Sequence, residues 1–358
     1  MQRNPSIHGL RGLAAGMVLA LHLYGAMVTG GLLDSGGLAG RLEWLFAFGH
    51  RGVELFFLIS GYLIAGSLVR HRSATRFLAH RLRRIYPAFL VPHLLIFAVG
   101  PWVGYGWMAG LDLWGWIRHF FANLLLLPGL FDLPIANIVA WTLSLEMAFY
   151  LLAAAAWLIG QQRSPWRKAA ARVGWLAIAA VMILRHPRTA FFAAGVLAWW
   201  LHQRHAPIAR AVQRVPFLGL AGFAGLCLLF DRAFAASLLC GWGALLAIAG
   251  NRGPLCRLLA GRPLQYLGDI SYSLYLWHPL VLFGLKRGLA PALGTETGRC
   301  ACVVFFLASA LAGSLCVAEL SYRWIEQRFR RHKPADSGRR CVACQPQKSP
   351  ASSVEAFA

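Results

Sequence analysis

The chain reads as an all-α polytopic membrane protein, and three observations lead there. It is 58% hydrophobic with only 13% charged residues, a balance outside the soluble globular range. Apolar runs long enough to cross a bilayer recur through most of its 358 residues. The Lys and Arg residues behind the formal net charge of +22 stand in short blocks between those runs, where anchoring to anionic lipid accounts for them. Such a distribution excludes a nucleic-acid partner, which would need the basic residues gathered on one polar face.

The first run, 7–28, carries Arg11 and His22 inside an otherwise apolar stretch and lacks a small-residue cleavage site. It is therefore expected as a retained helix and not a signal peptide. Further spans are expected near 49–69, 86–104, 138–160, 173–185, 189–202, 215–231, 233–250, 266–286 and 300–320, about ten transmembrane helices in all. The stretch 116–131 has Arg118, His119 and Asn123 in its first half and ends in Pro-Gly, so it reads as a re-entrant or interfacial segment. With that segment not crossing, most of the Lys and Arg fall on one side, and both termini are expected to be cytoplasmic. Residues 1–332 form the expected membrane domain, and 333–358, rich in Pro, Ser, Gln and Arg, an expected disordered cytoplasmic tail. Cysteines lie mostly in apolar runs and serve there as small hydrophobes, while Cys341 and Cys344 make a lone CxxC in the tail.

Four ionisable residues inside the spans, His22, Glu54, Glu146 and His278, fall near one depth, with Arg11 closer to the inner rim. Arg11 and His22 are about three turns apart, on one helix face and separated by about 16 Å along the axis. Counting 1.5 Å per residue from the outer surface places His22 at roughly 10 Å, Glu54 at roughly 8 Å, and Glu146 and His278 at about 12 Å. Ionisable groups in a bilayer face a protein-lined cavity and mark a site or path. Two carboxylates and two imidazoles at one level suit general acid–base chemistry, and equally the proton relay of a permease. Ser271, Tyr275 and His278 continue one polar face at helical spacing, as do Thr142 and Glu146. On the cytoplasmic side Arg81 and Arg84 share a helix face at i, i+3, a pair suited to holding phosphate. No metal site is expected; a P-loop, HExxH and GxSxG are all absent from the sequence.

These motifs together resemble the bacterial membrane-bound acyltransferase family 3, which O-acylates surface glycans and related acceptors. LRGLAAGMVLALH looks like the family's Arg-ten residues-His helix at Arg11 and His22. GVELFFLISGYLI is similar to its second-helix signature, with Glu54 where aspartate is commoner. HRLRRIYPAF looks like RRxxRIxPxY, with Arg81 and Arg84 matching, His80 in place of the first arginine and Phe89 in place of the tyrosine. WTLSLE at 141–146, ISYSLYLWHP at 270–279 and SYRWIEQRFRR at 321–331 resemble three later elements.

The resemblance implies an acyltransferase of the inner membrane that takes an acyl group, acetyl first, from cytoplasmic acyl-CoA to a hydroxyl of an extracytoplasmic glycan or glycolipid such as a surface polysaccharide or lipopolysaccharide. His22 would be the general base, with Glu54 or Glu146 orienting its ring and His278 beside it. Arg11, Arg81, Arg84 and His80 would hold the donor, and Ser60, Trp141, Ser144, Ser271 and Tyr275 would line the substrate path. Acceptor choice is expected in the outer loops 29–48, 105–137 and 289–298. The other class of function, a proton-coupled permease or lipid-linked sugar carrier, should show an internal repeat, and no second copy of the first-helix motif is present.

Overall fold

The computed structural model describes residues 4–33, 38–108, 110–289 and 296–331. The expected tail with Cys341 and Cys344 lies outside them, as does most of the loop 289–298. Among the described residues every regular element is helical. In chain order these are α1 (Pro5–Thr29), α2 (Leu38–Ala47), α3 (Arg51–His71), α4 (Ala74–Val103), α5 (Leu113–Leu124), α6 (Trp141–Gly160), α7 (Pro165–Arg185), α8 (Ala190–Gln203), α9 (Pro207–Arg214), α10 (Leu218–Leu229), α11 (Phe234–Ala249), α12 (Pro254–Leu259), α13 (Arg262–Leu289), α14 (Glu296–Ser321) and α15 (Gln327–Arg331). A π-helical turn, Tyr322–Glu326, joins the last two.

A helix occupies each of the ten expected stretches. Five helices are long and apolar enough to cross a membrane: Pro5–Thr29, Glu43–His71, Ala74–Val103, Trp141–Gly160 and Ala301–Phe329. A sixth arises if α9 and α10, bent by 94° at their junction, count as one broken span. Three of the others fall short for visible reasons: α8 and α11 have only 14 and 16 residues, and α7 opens on Arg167, Lys168 and Arg172. No residue of α7 is buried. Its outward Val173, Leu176, Ile178, Val181 and Leu184 are what a helix on the lipid face presents.

The basic segment before 86 is not a loop. Ser73 caps a helix that begins at Ala74, its side chain accepting from the Arg76 amide. That helix then runs unbroken through Pro87, Pro92 and Pro101. Proline removes an intrahelical hydrogen bond, and inside a bundle neighbouring groups answer the carbonyls left over. Two residues before Pro87, the Tyr272 hydroxyl donates to the Ile85 carbonyl at 2.8 Å and ties this helix to α13. Arg81 and Arg84 are thereby fixed on a rigid helix.

Two features position the site. First, α1 and α13 lie side by side and run in the same direction, since contacts advance together along both: Arg11 with Ser271, His22 with His278, Thr29 with Lys286. Leu10, Ala14 and Val18 of α1 pack into a core with Leu58 and Ile59 of α3, Phe191 and Phe192 of α8, and Leu245 and Leu246 of α11. Second, the short α5, about 18 Å long, is followed by non-helical chain whose polar groups are answered by protein. The Asn123 amide donates to the Pro134 carbonyl and its oxygen accepts from the Ala136 amide. Asn137 donates to the carbonyl of Leu276, three residues before Pro279 of α13.

Candidate active site

An inner cavity enclosing about 760 Å³ of empty space lies between α1, α3, α4, α6 and α13. Arg11, Arg81 and Arg84 bring three guanidiniums to its wall, and Ser60, Glu146, Ser271 and Tyr275 line it as well. Arg11 donates to the Ser271 hydroxyl at 3.1 Å, and that hydroxyl donates onward to the Gly268 carbonyl at 3.0 Å. Arg81 is 4% exposed, lies 5.4 Å and 5.6 Å from the ring centres of Phe77 and Tyr150, and leaves its Nε without an acceptor. A buried cationic donor with no partner is costly, and an anionic ligand in the cavity would answer it. Glu146 Oε1 accepts from Ser60 at 2.7 Å and from Tyr150 at 2.6 Å.

A second, wider cavity of about 1430 Å³ adjoins the first, and Arg11 and Leu63 line both. It is built at the end of the bundle where α1 starts and α3 and α8 finish, from Asn4, His8, Tyr62, Arg70, Trp199, His202, Asp269 and Tyr322 among others.

In the other direction Val53, Phe56, Thr142 and Tyr275 line the inner cavity. The Tyr275 hydroxyl is bound to Thr142 at 2.7 Å and to the Val139 carbonyl at 3.1 Å, with Phe56 edge-on to its ring. Next to Tyr275, at 6.2 Å between ring centres, stands His278, and His278 meets His22. His278 Nε2 lies 3.2 Å from His22 Nδ1, while each Nδ1 lies 2.9 Å from the carbonyl four residues earlier, Leu274 and Val18. Carbonyls only accept, so both Nδ1 atoms carry protons. His278 Nε2 then accepts from His22, and His22 keeps an unprotonated Nε2 on a half-buried ring.

The four ionisable groups expected at one level thus separate into three sites, and neither carboxylate touches an imidazole. Glu54 is fully buried and faces Arg188, whose Nε is 3.3 Å from Oε1. Arg51, 2.6 Å from Asp231, flanks it, with its guanidinium over Phe230. Backbone carbonyls, and not Glu54 or Glu146, orient the two rings. Three further expected residues lie away from the cavity. Ser144 donates to the Pro128 carbonyl and so fixes the irregular chain after α5. Trp141 packs against the core beside Arg188. His80 is exposed against His71, its ring 5.0 Å away, so the replacement of an arginine there removes no cavity group.

Depth can be counted along a helix from sequence, but rotation about its axis and choice of neighbour cannot, which is why Glu54 and Glu146 read as ring partners. Arg188 and Tyr150 escaped sequence reading: Arg188 pairs with Glu54 on another helix, and Tyr150 meets Glu146 one turn back on its own. Arg188→Ala leaves the Glu54 carboxylate buried without its partner and should cost about 3 kcal/mol. The double variant Arg188→Ala/Glu54→Gln should recover most of it, as thermal unfolding in detergent will show.

A family model described as an acyltransferase domain matches residues 4–319. The chain belongs to the acyltransferase 3 family. The exopolysaccharide production protein ExoZ of Rhizobium meliloti (strain 1021) is 30% identical over 288 residues, 72% of this chain and 85% of that protein. Nodulation protein 10 of Rhizobium leguminosarum bv. viciae is 28% identical over 192 residues, 48% of each chain. An O-acetyl transferase of Shigella phage Sf6 is 36% identical over 107 residues, 29% of this chain and 28% of its own. The chain therefore spans about half or less of the length of these last two relatives. No solved structure matches. Among the described residues no group of three His, Cys, Asp or Glu side chains is placed to hold a metal ion.

Proposed function

We propose that this protein is an integral membrane O-acyltransferase that moves an acyl group, acetyl in our reading, from cytoplasmic acyl-CoA to a hydroxyl of an extracytoplasmic glycan or glycolipid. The observation that carries this reading is the division of labour along α1. Arg11, at one end, stands with Arg81 and Arg84 on the wall of a cavity, and His22, three turns on, presents a ring nitrogen with a free lone pair. Family membership and relatives named as an O-acetyl transferase and an exopolysaccharide production protein support the acyl-transfer chemistry and the glycan class of acceptor.

In this reading the arginines hold the donor's phosphates, and its pantetheine arm runs through the apolar part of the inner cavity toward Tyr275. The acceptor hydroxyl loses its proton to His22 Nε2 as its oxygen attacks the thioester carbonyl. The new C–O bond forms, the C–S bond breaks, and the His22 imidazolium returns its proton to the departing coenzyme A thiolate. Parallel α1 and α13, with α14 returning after them, support both termini on one side, since an odd number of crossings lies between two spans that run the same way, and the excess of Lys and Arg supports the cytoplasmic side. The bacterial inner membrane is the compartment that gives such a chain acyl-CoA on one face and glycan on the other.

The test uses purified protein in detergent with radiolabelled acetyl coenzyme A. Arg81→Ala/Arg84→Ala should weaken donor binding by about tenfold or more, the weight of one or two charge-assisted hydrogen bonds. Undiminished donor affinity would remove the arginine clamp. Loss of surface-glycan acetylation on deleting the gene tests the acceptor class.

A further inference from the structure

The acyl-CoA reading leaves the bulkiest part of the donor unplaced, because the inner cavity is narrow and walled largely by apolar and aromatic side chains. We infer that the wider cavity is a separate nucleotide subsite, which takes the 3′-phosphorylated adenosine end of the donor on Arg70, Trp199, His202 and Tyr62. The inference rests on the proposed donor and goes beyond it by assigning residues outside the Arg81–Arg84 pair.

Four observations converge on that assignment. The wider cavity encloses about 1430 Å³ against about 760 Å³ for the inner one, and the two share Arg11. One extended ligand can therefore lie in both, with its diphosphate at the arginine between them. The charge is suited to a polyanion: Arg11 and Arg70 line the cavity against a single carboxylate, Asp269, which already has His8 at 3.5 Å. The start of α1 adds the positive end of a 25-residue helix, since Asn4 and Ile7 stand on the same wall. Third, Tyr62 is more than nine-tenths buried and lines the cavity, and its hydroxyl bonds no other described residue. That hydroxyl opens to the cavity, where a ligand phosphate or ribose hydroxyl would meet it. Finally, the half-buried indole of Trp199 offers a face on which a purine stacks. His202, whose Nδ1 accepts from Gln213 at 2.9 Å, carries its proton on Nε2 as a further donor.

The wider cavity opens beside the arginines of the inner one, so a nucleotide and its diphosphate would meet cations along their whole length. An acidic lipid headgroup shares the phosphate but lacks the base and the 3′-phosphate, and this difference shapes the experiment.

Adenosine 3′,5′-bisphosphate is the binding probe, titrated against the full-length protein in detergent. Wild type should bind it, and Arg70→Ala and Trp199→Leu should each weaken it by about tenfold, with Tyr62→Phe a smaller loss. Dioleoyl phosphatidic acid in mixed micelles should not displace it. In the transfer assay, acetyl-CoA is compared with S-acetylpantetheine, which lacks the nucleotide. The ratio of KM for acetyl-CoA to KM for S-acetylpantetheine should rise about tenfold in Arg70→Ala. An unchanged ratio, full displacement by phosphatidic acid, or unaltered bisphosphate affinity in both variants overturns the subsite. The ratio and the affinities are read only on variants that unfold at the wild-type temperature; where Arg70→Ala does not, bisphosphate affinity in Tyr62→Phe, which removes one oxygen, decides. If wild type transfers acetyl from neither donor, the enzymatic reading fails, and bisphosphate binding still reports on the cavity.

Discussion

His22→Ala should lower acetyl transfer by about 10²- to 10⁴-fold, the range that one positioned general base contributes, while donor binding stays within a factor of about two. The asymmetry follows from the geometry of the imidazole pair. His22 Nδ1 is tied to the Val18 carbonyl and to His278 Nε2, so the only nitrogen left to accept a proton is His22 Nε2. His278 has no such free atom, because its Nδ1 is held by Leu274 and its Nε2 by His22. It acts as a positioning residue, which fixes the His22 tautomer and shares the charge once His22 is protonated. His278→Ala should therefore cost less, about ten- to a hundredfold, the weight of a partner that orients a reacting group, and His278→Asn, which keeps an acceptor near His22 Nδ1, should recover part of it. Radiolabel transfer under single-turnover conditions reads both. Added imidazole should restore a fraction of the rate in His22→Ala by entering the space the ring left. Full turnover in His22→Ala would remove it as the base.

Much of this arrangement is legible in the sequence because helices have a fixed rise and period. The interval from Arg11 to His22 sets both the face and the separation, and the structure places both residues against α13. Ser271, Tyr275 and His278, read as one stripe, do lie along one face, from the inner cavity to the imidazole pair. Partners across helices are illegible for the opposite reason, since they depend on how each helix is rotated. Glu146 lies in the inner cavity with Ser60 and Tyr150, not with the histidines, and Glu54 turns toward an arginine in the tight turn between α7 and α8. The closing segment 321–331 shows the same limit. Its Glu326 is buried against α13, where Oε1 accepts from the hydroxyl of Ser273 at 2.6 Å and from its amide at 3.2 Å. Nothing in the order of residues announces that the Glu326 carboxylate props the helix carrying His278.

Gly12→Val should abolish transfer and lower the unfolding temperature by several degrees, whereas Gly25→Ala on the same helix should be neutral or slightly stabilising. A Cβ at Gly12 would lie 2.2 Å from the Leu264 carbonyl oxygen and 2.8 Å from the Gly268 nitrogen, both backbone atoms of α13 that have no side-chain freedom to yield. The two helices must therefore separate or slide, and overpacking of this kind costs about 1–3 kcal/mol and at times more. The functional loss should exceed the stability loss, because the Arg11–Ser271 bond and the 3.2 Å approach of the two imidazoles both depend on the same register. At Gly25 nothing lies within 4 Å of the added carbon. There the expected gain is the helix preference of alanine over glycine, about 0.5–1 kcal/mol. Thermal unfolding in detergent and label transfer, measured on both variants, separate a register effect from a general intolerance of larger residues in α1. Full activity in Gly12→Val would mean that α1 and α13 need not touch for the chemistry to proceed, and the imidazole pair would lose its role.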